Sequence, residues 1–205
     1  MSNTARTTHT LNIAFMVPTE QDDWVNRLTA RVSQHPLCHA EIHFETINKC
    51  FSITTVENVG LRTKSLGNPQ YRIVSLAVTA AEYNTCLSFC QVASTWNLQL
   101  DEMAMWRSYY GMGCCEPDSR QAGKTFCTKI ITEALQYAGV PEVEHLNPAI
   151  TTPSRLYEAV YRSPRVVCAS VPFKRRALAQ GCVIGAYAHT VSCMRDAHTV
   201  SCMRL

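Results

Sequence analysis

The feature that most constrains this chain is a set of short runs with strand character, each stopped by turn chemistry within about ten residues. The run at 11–17 (LNIAFMV) is short and apolar and ends at Pro18, as expected for a buried strand. At 39–45 (HAEIHFE) the residues alternate. Asn48 then supplies a turn, and 50–56 (CFSITTV) is β-branched and aromatic, so the two runs predict a hairpin. A third strand is predicted at 71–78 (YRIVSLAV), after the turn signal Asn68-Pro69.

Helical patterns separate and follow these runs. Asp22 and Asp23 place negative charge at a helix start, Trp24, Leu28 and Val32 give that helix one apolar face, and Pro36 closes it. Thr79 and Glu82 form a capping-box pattern ahead of a helix reaching about Trp96. Residues 97–123 lack a period and carry Gly111, Gly113, Pro117, Asp118, Ser119 and Gly123, which predicts a loop with one short helical turn near 103–109. A helix is expected over 125–138, with Ile130, Ile131, Ala134, Leu135 and Ala138 on a broad face and Gly139 just past its end. Thr152 as cap and Pro153 at the first helical position open another helix through Tyr161, and 165–173 suits an edge strand. The expectation is an α+β fold, a small antiparallel sheet packed against helices.

A length of 205 residues fits one domain, read as 11–175, with a flexible tail at 1–10 and a C-terminal tail at 176–205. That second tail carries AHTVSCMRD at 188–196 followed by AHTVSCMR at 197–204, a duplication of the kind a tolerant terminus accepts. The net charge is +3, and Lys174-Arg175-Arg176 is the one tight basic run, so no nucleic-acid partner is expected. Eleven cysteines cannot all pair. With no secretory pattern after the first residues, they point to a reducing, cytoplasmic setting. No stretch approaches the roughly 18 apolar residues of a membrane span.

Within this frame one thiol stands apart. Cys127, in GKTFCTKIITEAL, follows a glycine-containing loop and falls in the first turn of a helix, where amide dipoles favour a thiolate; Lys124 and Lys129 add positive charge. A cysteine in a helix that docks on a sheet is ordinarily plain core, so a base must accompany it. His39 is the candidate. It shares one face of its strand with Glu41 and His43, and three ionisable groups on one face must line a cleft, face solvent or find partners.

The passages LCHAEIHFE with CFSITT, and KTFCTKIITEALQYAG, resemble the permuted papain-like superfamily that contains NlpC-type cell-wall peptidases and the lecithin:retinol acyltransferase group. In that superfamily the His-bearing strand precedes the Cys-bearing helix. The resemblance implies that Cys127 attacks a carbonyl, that His39 withdraws and returns the proton, and that a polar third residue orients the imidazole. For that third residue Glu41 ranks first, then His43, then Thr54; the hairpin also sets Ser52 beside His39. The oxyanion would be held by the Cys127 backbone N–H. The chain departs from the acyltransferase group in reading Thr125-Phe126-Cys127-Thr128 where that group has Asn-Cys-Glu-His, and it carries no cell-wall-binding repeat.

The expectation is therefore an intracellular thiol hydrolase of viral or eukaryotic origin, a peptidase or amidase acting on a peptide, amide or ester without a cofactor. Three rivals stand beside it: an inactive interaction protein of the same fold, a thiol acyltransferase or lipase acting on lipid esters, and a zinc module built from Cys38, His39, Cys114 and Cys115. The aromatic group Trp106, Tyr109 and Tyr110 suits either the wall of a substrate cleft or a core patch under a loop.

Overall fold

A computed structural model describes residues 8–33, 35–67, 70–112 and 117–169. In chain order the elements are β1 (Thr8–Met16), α1 (Trp24–Val32), β2 (His39–Phe44), β3 (Lys49–Ser52), β4 (Gly60–Arg62), β5 (Tyr71–Thr79) and α2 (Ala80–Ala93). They continue with β6 (Gln99–Leu100), α3 (Glu102–Tyr109), α4 (Ser119–Ala122), β7 (Lys124–Thr125), α5 (Cys127–Tyr137), α6 (Pro153–Tyr161) and β8 (Val166–Ala169). Among the described residues the main sheet has six strands in the order β4-β3-β2-β1-β5-β8, every pairing antiparallel, with helices packed on it. The architecture is α+β.

The apolar text of β1 reflects its place at the centre of that sheet. Residues 11–16 are all buried, because both faces of the strand are covered. Leu11, Ile13 and Phe15 point to one side, where Phe15 meets Tyr157 of α6 edge-on at 5.2 Å and Phe44 of β2 meets Tyr83 of α2 at 5.6 Å. On the other side Ala14, Met16, Cys38 and Tyr71 cluster, with Ala30 of α1 packed against them. The register Asn12↔His43, Ala14↔Glu41, Met16↔His39 puts the three polar residues of β2 on this second face.

Helix α5 is enclosed almost all round rather than on one broad face. Ile130, Ile131, Ala134 and Leu135 have no exposed surface, and Cys127, Thr128, Lys129 and Thr132 are buried too. Full burial of each large aliphatic side chain stabilises by about 1.5–3 kcal/mol. The polar members are satisfied locally: Thr128 Oγ1 donates to Thr151 O at 2.5 Å, and Lys129 Nζ donates to Pro117 O at 2.7 Å. Gly139, at φ +73°, ends the helix in the left-handed conformation, as its position predicts.

Several elements differ from the sequence expectation. Strand β1 starts at Thr8 rather than residue 11, because β5 pairs with it from Thr8↔Thr79 to Met16↔Tyr71. Strand β3 stops at Ser52, four residues short, since 54–57 turn back on themselves through Thr54 N–H to Glu57 O. In α1 the expected apolar face is outside, Trp24 being 62% exposed, and the small Thr29 faces inward. The irregular stretch 97–123 holds β6, α3 and α4, and β6 pairs in parallel with β7 just beyond it. Its helices start on Asp101 and Asp118, whose carboxylates accept from Ala104 N–H and Gln121 N–H. Strand β8 is the expected edge strand as far as Ala169. The Asn68-Pro69 turn, Gly113, Cys114 and Cys115, residues 170–173, the Lys174-Arg175-Arg176 run and the terminal repeat lie outside the described residues. No helix among the described residues is long and apolar enough to cross a membrane.

Candidate functional site

The site forms where β1 ends and β2 begins. The β2–β3 ladder runs only to Ile42↔Phe51, so the first residues of β2 have β1 on one side and an open edge on the other. The N-terminus of α5 comes up to that open edge. Cys127 is the first residue of α5, and its sulfur accepts from the backbone N–H groups of Ala40 and Thr128. It also hydrogen-bonds the ring of His39, the first residue of β2. Two residues separated by most of the domain are thus joined by one strand end and one helix start.

The second face of the sheet holds the ring from behind. His39 Nε2 lies 3.0 Å from Ser52 Oγ and 3.5 Å from Glu41 Oε1, which leaves Nδ1 as the ring nitrogen for the thiol. Glu41 is only 1% exposed, yet its charge is matched on three sides. Tyr71 OH donates to Oε1 at 3.1 Å, Lys64 Nζ bonds the same oxygen, and His39 completes the set. Lys64 also lies 5.0 Å from the centre of the Tyr71 ring.

These contacts decide the protonation states. Burial alone would raise the Cys127 thiol, but the His39 charge and hydrogen bond, with the two backbone N–H groups, bring it below its ordinary value. Burial alone would lower His39, but the charge and hydrogen bond of Cys127, then those of Glu41, raise it well above 6.5. Glu41 is pulled down to about 2 against its burial by His39 and then Lys64. All three directions favour the charged forms: the thiol is lowered, the imidazole raised and the carboxyl lowered, each by its neighbour. The leading influences on Cys127 are His39 and backbone N–H groups; Lys124 is exposed and Lys129 is spent on Pro117 O.

The sequence-predicted residues fall into two groups. Cys127, His39 and Glu41 come together. His43 lies on the same face of β2, opposite Asn12 and Cys50, and Thr54 spends its Oγ1 accepting from Val56 N–H and Glu57 N–H; neither bonds the His39 ring. Ser52 is on the face of Glu41 by strand parity, a signal present in the hairpin text. Lys64 and Tyr71 come from a connecting segment and a distant strand, and no local pattern announces them.

A cleft of about 290 Å³ opens over the pair. Its lining comes from α1 and the residues before it, the 53–57 segment, Met105 of α3, and Cys38, His39 and Cys127. Trp106 and Tyr109 pack on the cluster of Ala104, Met105 and Phe126, while Tyr110 is 68% exposed. Burial, then the charges of Cys127 and Cys38, raise the Tyr109 hydroxyl. The zinc alternative needs Cys114 and Cys115, which are outside the described residues; within them no group of three or more His, Cys, Asp or Glu is placed to hold a metal ion. No family model matches this chain, and neither does any curated protein.

Proposed function

We propose that the protein is a thiol-dependent hydrolase of peptidase or amidase type, on a permuted papain-like fold, with Cys127 as nucleophile and His39 as acid and base. The observation that carries this reading is the buried Cys127–His39 pair, which lines a cleft and has the far side of its ring held by Ser52 and Glu41. A cysteine kept for packing alone would be neutral and would not need a histidine oriented by a buried carboxylate.

In the mechanism the Cys127 thiolate attacks the substrate carbonyl, and the carbonyl oxygen gathers charge near the first turn of α5. That helix has no side-chain cap at Phe126, so its leading N–H groups are not taken by a capping side chain. His39 gives its proton to the leaving amine, then takes one from water, which attacks the acyl-enzyme and regenerates the thiolate. Glu41 and Ser52 hold the ring in one orientation through both transfers, and Lys64 and Tyr71 keep Glu41 ionised in its buried place.

The test is the pH dependence of iodoacetamide labelling at each cysteine, read by peptide mass spectrometry in the parent and in His39→Ala. The expected result is that Cys127 labels fastest, with an apparent pKa below the free-thiol value of about 8.5, and that His39→Ala removes the advantage. Slow labelling of Cys127, or labelling indifferent to the mutation, overturns the reading in favour of a non-catalytic interaction protein.

A further inference from the structure

The cleft holds a second thiol for which hydrolysis has no use. Among the described cysteines, Cys38 and Cys127 alone line it; Cys50 sits on β3, Cys86 and Cys90 are enclosed in α2, and Cys168 is on β8. Cys38 immediately precedes the base. It is 3% exposed, packed against Ala14, Met16 and Tyr71, with its N–H bonded to Met16 O at 3.0 Å and its Sγ 3.5 Å from the same oxygen. The Cys127 sulfur is bonded to the N–H of Ala40, two residues further along the same backbone. One short stretch of chain therefore carries one sulfur and binds the other.

We propose that Cys38 and Cys127 form an oxidative modification site: a hydroperoxide entering the cleft oxidises Cys127, and Cys38 closes on it as an intrachain disulfide that switches the nucleophile off reversibly. The inference rests on the thiolate reading of Cys127 given above. In the first step the thiolate attacks one peroxide oxygen, an S–O bond forms and the O–O bond breaks. The departing alkoxide takes the His39 proton to leave as an alcohol, or as water when the oxidant is hydrogen peroxide. Sulfur is oxidised by two electrons and the peroxide reduced by two, leaving a sulfenic acid. In the second step the Cys38 sulfur attacks Cys127 Sγ, an S–S bond forms, the S–O bond breaks, and the Cys38 proton leaves with the hydroxide as water.

The local charges suit this order. Burial, then the Cys127 thiolate, then Asp22 and Asp23, raise the Cys38 thiol, so it stays protonated while the enzyme is at work. Oxidation makes Cys127 neutral and removes one of those influences. It also leaves His39 without its proton, able to relay the one from Cys38 to the departing hydroxide. A resolving thiol lining the same cleft spares Cys127 from advancing to the irreversible sulfinic acid.

The experiment treats the reduced full-length protein with stoichiometric hydrogen peroxide, blocks remaining thiols and maps the peptides. The expected product is a cross-link between the Cys38 and Cys127 peptides that dithiothreitol reverses, with thiolate labelling of Cys127 lost and regained in step. In Cys38→Ser the cross-link is absent, dimedone labels Cys127, and further peroxide carries it to the sulfinic acid. The proposal is overturned if Cys127 in the parent goes to the sulfinic acid or pairs with another cysteine while its iodoacetamide profile remains that of a thiolate. Should Cys127 react with neither reagent, the hydrolase reading fails and this one with it. Because the cross-link is read in the parent, the result does not depend on the variant folding.

Discussion

Glu41 is the residue whose environment makes the strongest demands. A carboxylate 1% exposed would ordinarily be protonated or excluded; here His39, Lys64 and Tyr71 converge on one oxygen and hold it down to about 2. A group depressed in the folded state adds stability that is complete above its unfolded value, near 4.5, and is lost as pH falls towards about 2. Glu41→Gln should therefore unfold more easily in urea by roughly 2–4 kcal/mol at neutral pH. That deficit should shrink below pH of about 4.5, and a deficit constant down to pH of about 2 would disprove the ionised role. The dyad makes a different pH prediction. Hydrolysis should follow a bell, its acid limb set by protonation of a thiol below its ordinary value and its alkaline limb by deprotonation of an imidazolium above its own. Iodoacetamide labelling needs only the thiolate and should keep the acid limb alone. Ser52→Ala, which removes one hydrogen bond to the ring, should lower kcat about 10-fold and leave the acid limb in place.

At the level of elements, helix α2 starts on a complete capping box, Thr79 Oγ1 accepting from Glu82 N–H at 3.1 Å and Glu82 Oε2 accepting from Thr79 N–H at 2.6 Å. The other oxygen of Glu82 takes Arg165, which also grips Glu142 with two nitrogens and so ties the start of β8 to two helical segments. Thr79→Ala should cost about 1 kcal/mol in thermal unfolding. Elements of this kind were legible in the sequence because their signals are local: a cap, a period, a left-handed glycine. The outward turn of Trp24 and Leu28 was not, since α1 buries its small side and the periodicity of its large residues says nothing about which side the sheet will meet. The partners of Glu41 were equally hidden. Lys64 and Tyr71 reach it only after β1 has been inserted between β2 and β5, a matter of strand order rather than of any stretch of text.

For the whole molecule, that insertion is the organising event: β1, from the start of the chain, sits between strands beginning at residues 39 and 71 and is buried throughout 11–16. Phe15→Ala, with its ring lost from the contact with Tyr157, should destabilise by about 3–5 kcal/mol in urea titration. A central strand that must find distant partners also predicts refolding on a millisecond-to-second scale in stopped-flow measurements. The early end of β3 carries a further consequence. With no β3 partner past Ile42↔Phe51, the Ala40 N–H is bonded to the Cys127 sulfur, so that sulfur occupies the place where a longer strand would have paired. Sheet growth and reactivity compete there for a single donor. A variant that lengthened β3 by two residues would complete the sheet and displace the Cys127 sulfur, so the proposed chemistry depends on the abrupt ending of one short strand.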